Sequence, residues 1–138
     1  MKYDRLIIEK KEYLLLKRFM NLSGYLKDKL IRNSMQTSME LLESAHIYDE
    51  KDMPSDVVRF NSLITVSSWK GLEKKFRLVI PTAGDALNSI SILTPQGIAM
   101  MGHAEGDYFQ WDHSPIGHLL KIEKVEQDNK EISISMVL

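Results

Sequence analysis

The sequence predicts an α+β protein: an antiparallel helical hairpin, then an antiparallel sheet carrying one short helix. Three observations lead there. Composition changes near residue 53: before it Gly24 is the single glycine and no proline occurs, whereas all four prolines and the other six of seven glycines follow. The early stretch spaces apolar residues three and four apart, as an amphipathic helix does. The later stretch breaks into short runs rich in Val, Ile and aromatic residues with turn residues between them. The polar, proline-marked "DEKDMPSDVV" marks the boundary. Residues 1–53 are therefore expected as the helical part and residues 54–138 as the sheet domain.

In "EKKEYLLLKRFMN", Leu15, Phe19 and Leu22 fall on one helical face. In the next stretch Leu26, Leu30, Thr37 and Leu41 hold a face that Met35, Met39 and Leu42 broaden. "NLSGY" separates the two, with Gly24 able to end the first helix and Ser23 able to cap the second. So short a turn predicts antiparallel helices. The second has room for about 20 residues, roughly 30 Å of helix.

Strands are expected at "VVRF", "LITVSS", "KKFRLVI", "SISIL", "YFQWD" and "HLLKIEKVEQ". The run "KEISISMVL" adds another after the turn "QDNK". In "HLLKIEKVEQ" the alternation of Leu120, Ile122 and Val125 is imperfect. The short helix comes from "LTPQGIAMMGHAEGD". Thr94 is a natural N-cap, Pro95 a natural first helical residue and Gly102 a natural left-handed residue past the end. Ile98 and Met101 are expected inward, and Asp107 is expected to accept hydrogen bonds from local backbone N–H groups.

Composition excludes several classes. The chain has no cysteine, which removes disulfides, thiolate catalysis and cysteine-based zinc sites. A net charge of −1 predicts no polyanion partner from overall charge. No apolar run approaches the roughly 20 residues of a membrane helix. The N-terminus "MKYDRLIIEKKEY" mixes acids with bases and lacks the apolar core of a secretory signal, so a cytoplasmic, membrane-free protein is expected.

Catalytic patterns are absent. His46, His103, His113 and His118 form no helical metal pair. His113 and His118 flank the turn "SPIG", and a metal there would lack a clear third ligand, so no metal and no cofactor is expected. Gly97, Gly102 and Gly106 are too widely spaced for a phosphate loop. Trp69 and Trp111 are single aromatics rather than a stacking platform. On its residues the chain is a binding module, not an enzyme. One charge feature stands out: Lys17, Arg18, Lys27, Lys29 and Arg32 face the single acid Asp28 around the hairpin turn. A solvated face explains such a run; attraction to an acidic protein surface or to phosphates is the functional alternative.

Two segments resemble a known family. "MPSDVVRFNS" resembles the linker and first strand of Rnk-type proteins, the regulators of nucleoside diphosphate kinase. "LTPQGIAMMGHAEGD" resembles the P-x-G-x-A-hydrophobic-hydrophobic-G-x-x-x-G-D segment of their C-terminal domain, and the GreA and GreB transcript-cleavage factors have a related segment. "FRLVIPTAGDALNSISIL" is similar to the strand, proline loop and strand between them. The resemblance covers about residues 53 to 127 and implies an FKBP-like α+β domain that docks on RNA polymerase beside its secondary channel, with the helical hairpin directed at that channel. In cleavage factors acidic residues at the hairpin tip help hold a catalytic magnesium ion, which needs oxygen ligands. Here the presumed tip "RFMNLSGYLK" has no Asp or Glu. The resemblance therefore implies a polymerase-binding regulator, acting as a monomer and without sequence-specific nucleic-acid binding, that does not stimulate cleavage. The docking candidates are Thr94, Pro95, Gln96 and Gly97; the cleavage factors carry an acid before the proline where this chain has Leu93 and Thr94. A peptidyl-prolyl isomerase is the alternative that an FKBP-like fold brings to mind, but fold alone does not carry function. Tyr108 and Phe109, adjacent on one strand, should face opposite ways and so could not both line a proline pocket. An interaction module with a different partner is the third reading.

Overall fold

The first strand of the molecule lies where helical patterning gave no element. In this computed structural model, which describes residues 1–22, 36–68, 70–80, 89–92, 94–110 and 119–127, strand β1 (Ile7–Glu9) leads directly into helix α1 (Lys10–Leu22). Helix α2 (Gln36–Glu43) then delivers strand β2 (His46–Tyr48), which pairs parallel with β1 in the register Ile7 to His46. Parallel neighbours need a long crossover, and the helical segment supplies it. All three residues of β1 are buried. Ile8 and the preceding Leu6 enter the main core, while Ile7 joins Val57 and Ala104 in a smaller cluster on the other side.

Helix α1 buries Leu15, Leu16 and Phe19 and leaves Lys17 and Arg18 exposed. Only the end of the expected second helix is described: in α2, Leu42 is buried and Met39 and Leu41 pack at the core margin. The expected turn "NLSGY" beyond Leu22 and the expected start of the second helix, with Leu26, Lys27, Lys29, Leu30 and Arg32, lie outside the described residues.

Strands β3 (Leu63–Ser68), β4 (Glu73–Val79), β5 (Ser89–Ser91), β6 (Tyr108–Gln110) and β7 (Leu119–Glu126) form one sheet in the order β5-β4-β3-β7-β6. Helix α3 (Pro95–Met100) lies between β5 and β6 in the chain. The expected all-antiparallel sheet is corrected at one edge, where β5 runs parallel to β4 with Arg77 opposite Ser89. Residue type marks a strand but not its direction, and an odd-direction edge strand is common in mixed sheets. The broken alternation near Val125 has a structural cause. The β3–β7 register shifts between Thr65 and Val66, and this bulge lets both Ile122 and Val125 point inward.

"VVRF" is also corrected: it is not a strand. Val57 makes one isolated antiparallel bridge to Ala104. Val58 donates to His103 O at 2.8 Å and accepts from Gly102 N at 3.2 Å. The partner is a turn rather than an extended strand, so no ladder can grow. Asn61 then turns the chain into β3 with φ +68°. The run "KEISISMVL" lies outside the described residues. The main core combines Leu6, Ile8, Leu15, Leu16, Phe19 and Leu42 with residues from Val58 to Val125, so the apolar interior runs across the compositional boundary.

Candidate functional site

The start of α3 is built by local chemistry. Thr94 has extended backbone (φ −81°, ψ 155°), and its hydroxyl accepts from Gly97 N at 3.0 Å while donating to Ser91 O at 2.7 Å. Pro95 stands in the first turn, where its missing N–H costs nothing. Gly97 is there for closeness. A Cβ on it would lie 2.2 Å from Ser91 O and 2.8 Å from Ile92 Cα, both backbone atoms. Helix α3 thus rests against the end of β5 with no room for a side chain. Ile98 and Met101 point inward and are fully buried.

The end of α3 joins the N-terminal segment to the sheet domain. Gly102 has φ +83°, a conformation that suits glycine just past a helix. Its carbonyl accepts from Ile7 N at 3.1 Å, and its Cα faces Leu6 and Ile8. A few residues on, Asp107 Oδ2 accepts from Ala104 N at 2.9 Å and meets His103 Nδ1 at 3.2 Å, while Oδ1 accepts from Lys2 N at 2.6 Å. Burial alone would raise this carboxyl; the hydrogen bonds from His103, Ala104 and Lys2 outweigh it and bring it down to about 2. The side chain of Lys2 pairs with Asp56, to which Tyr3 also donates at 2.8 Å.

The base of α1 holds a cluster of charges that no motif announced. Glu9 Oε2 accepts from Glu12 N at 2.9 Å, which closes the first turn of the helix. Glu12 accepts from Arg59 Nε at 2.9 Å and Nη2 at 2.6 Å through Oε2, and from Phe60 N at 3.1 Å through Oε1. Arg59 also donates to both carboxylate oxygens of Glu50, with Nη1 at 3.1 Å from Oε1. The guanidinium acts with different outcomes on its two partners. The largest influence on Glu12 is burial, which pushes its carboxyl up against the pull of Arg59. Glu50 is far more exposed, and the hydrogen bond from Arg59 holds it below the ordinary range. The carboxylate oxygens of Glu9, Glu12 and Glu50 come within 4.8 Å of one another. Such a group has the donor chemistry for a hard cation, but the Arg59 guanidinium already supplies the positive charge.

Of the candidates from the sequence, Thr94, Pro95, Gln96 and Gly97 do come together at one end of α3. Thr94 and Gly97 are engaged within the fold, and Gln96 is half-buried. Lys17 and Arg18 are exposed on α1, with the Lys17 ammonium 5.0 Å from the Tyr13 ring centre. Lys27, Lys29 and Arg32 lie outside the described residues, as do His113, His118, Trp69 and Trp111. Tyr108 and Phe109 face opposite sides, at 57% and 4% exposure. The Arg59 cluster was missed although Arg59 sits inside "MPSDVVRFNS", because its partners stand 47 and 9 residues away in the chain.

A mixed sheet with one short capped helix, joined to a strand-anchored helical segment, defines a small α+β domain with a helical segment at its N-terminal side. A family model described as "Transcription elongation factor, GreA/GreB, C-term" matches residues 53–127. That is more than half of the chain, and the chain belongs to the GreA/GreB family. Among solved structures, it is similar to a prokaryotic transcription elongation factor GreA/GreB from Nitrosomonas europaea, with 26% identity, TM-score 0.65, and coverage of 89% of this chain and 98% of that one. It is more distantly similar to the GreA factor homolog Gfh1 of Thermus thermophilus, with 17% identity, TM-score 0.46, and coverage of 89% and 99%. Gfh1 of Thermus aquaticus stands at 17% identity and TM-score 0.47, with coverage of 89% and 99%. No curated protein sequence matches. Among the described residues no helix is long and apolar enough to cross a membrane.

Proposed function

We propose that this protein is a non-catalytic, RNA polymerase-binding transcription regulator of the Rnk-type branch of its family. The observation that carries the reading is the family match over residues 53–127, which takes in the five described strands of the sheet and its short helix. In this reading residues 54–138 form an FKBP-like domain that docks at the rim of the polymerase secondary channel. Within residues 1–53, the helical segment between β1 and β2 forms an antiparallel hairpin aimed at that channel. Thr94, Pro95, Gln96 and Gly97 present the docking edge, and Lys17, Arg18, Lys27, Lys29 and Arg32 give the hairpin a basic tip. The factor works in the cytoplasm as a monomer and reads no nucleic-acid sequence.

A basic tip repels a metal ion where a cleavage factor would chelate it, so the protein occupies the docking site without shortening transcripts. The tip "RFMNLSGYLK" offers no carboxylate to share a magnesium ion. Pro95→Asp tests the docking edge: the variant should fold and lose polymerase capture. A folded Pro95→Asp protein that binds polymerase as before would remove this surface from the proposal.

A further inference from the structure

The base of α1 makes a set of contacts that helix capping alone does not require. We infer that Arg59 is a positioning residue, clasping Glu12 and Glu50 so that the helical segment leaves the sheet domain in one fixed direction. Three separated pieces of chain meet at this guanidinium: the first turn of α1 through Glu12, the 3₁₀ turn Glu50–Asp52 through Glu50, and Arg59 itself just before β3.

Each piece is fixed in its own way. The Arg59 backbone N–H donates to Ser62 Oγ at 2.8 Å, which pins the residue that carries the fork. Phe60 N donates to the second oxygen of Glu12 at 3.1 Å, so both oxygens of that carboxylate are engaged from one two-residue segment. Glu9 holds Glu12 N, so the carboxylate sits on a turn that cannot unwind freely.

Apolar packing of Leu15, Leu16 and Phe19 also attaches α1 to the core. That attachment is non-directional and scales with area, so it tolerates a helix that rolls or tilts. A planar fork engaging two carboxylates is directional. Glu12 is 4% exposed at its side chain and Arg59 18%, so the pair is shielded from the solvent that weakens surface ion pairs. The packing therefore holds α1 on the domain, and the clasp sets where it points. The consequence for polymerase rests on the proposed function; the geometry of the clasp does not.

The test uses the full chain, which has no native cysteine. Spin labels go on Leu14→Cys in α1 and Leu72→Cys beside β4, both well exposed at 54% and 68%. Their distance distribution is recorded in the otherwise native protein, in Arg59→Lys, and in the double variant Arg59→Met/Glu12→Met. The double variant removes both members of the Arg59–Glu12 pair together, so neither is left facing the loss of the other.

The expected result is a narrow distribution with native Arg59 and one about twofold broader in the double variant, because a directional fork has given way to apolar contact. Arg59→Lys, a point charge without the planar fork, should fall between them. The double variant should keep cooperative thermal unfolding. An unchanged width in the double variant overturns the inference. So does loss of its cooperative unfolding, since the clasp would then hold up the fold rather than aim a helix. Capture of polymerase by the native protein is measured in parallel. Failure there removes the proposed function, while the label distances still decide the clasp.

Discussion

Helices α1 and α3 both begin at a tight junction with a strand, yet they are held by opposite means. Helix α3 starts with neutral, local contacts: the Thr94 hydroxyl, Pro95, and a glycine that lets it lie on β5. Helix α1 starts with charge: Glu9 closes the turn and Arg59 reaches it from 47 residues away. The lesson is that a fixed, domain-internal helix can be placed by shape within a dozen residues. Helix α1 instead draws directional contacts from elsewhere in the chain, which the proposed clasp uses to fix its direction.

That contrast can be broken at several points. Arg59→Met alone leaves Glu12 buried beside Glu9 without its cation, and should cost about 3 kcal/mol in urea unfolding at pH 7. Adding Glu12→Met should return most of that loss; equal losses in the single and double variants would mean that the charge pairing is not what matters. Gly97→Ala forces a methyl into backbone atoms of Ser91 and Ile92. It should cost about 2 to 3 kcal/mol as an overpacked contact. A near-neutral result would show that α3 can lift from β5.

Asp107 sharpens the contrast from the other end of α3. Its carboxyl lies at about 2, below the ordinary aspartate value of 3.8. A group depressed on folding adds stability above its unfolded value, and that stability is lost as pH falls through the folded one. Asp107→Asn should therefore cost about 2 kcal/mol at pH 7, and the gap to the native protein should close between about pH 4 and pH 2. A gap independent of pH would assign the effect to shape instead of charge. The smallest effect is expected at the cap: Thr94→Ala should lose about 1 kcal/mol, read from the thermal midpoint.

What the sequence disclosed follows the same division. Thr94, Pro95, Gly102 and Asp107 were legible because each makes contacts within a few residues, where residue type and spacing suffice. The family segments were legible for a related reason, as they are short and ordered along the chain. Strand β1 was not, because Leu6, Ile7 and Ile8 make an apolar run too short to show any period. The direction of β5 was not, since pairing direction leaves no mark on residue type. "VVRF" misled because its Val-rich composition serves burial against a turn. The Arg59 cluster joins residues that only the fold brings together. Glu9 and Glu12, three apart where an apolar run gives way to helix, were the one local hint of a charged helix start.

Binding without cleavage is the property proposed for this protein, and one assay addresses both halves. Stalled elongation complexes are incubated with the purified full chain, separated from free protein, and analysed for retained factor and for transcript length. The prediction is a retained factor with transcripts of unchanged length. Efficient transcript shortening, or no retention of the factor on the polymerase, would contradict it.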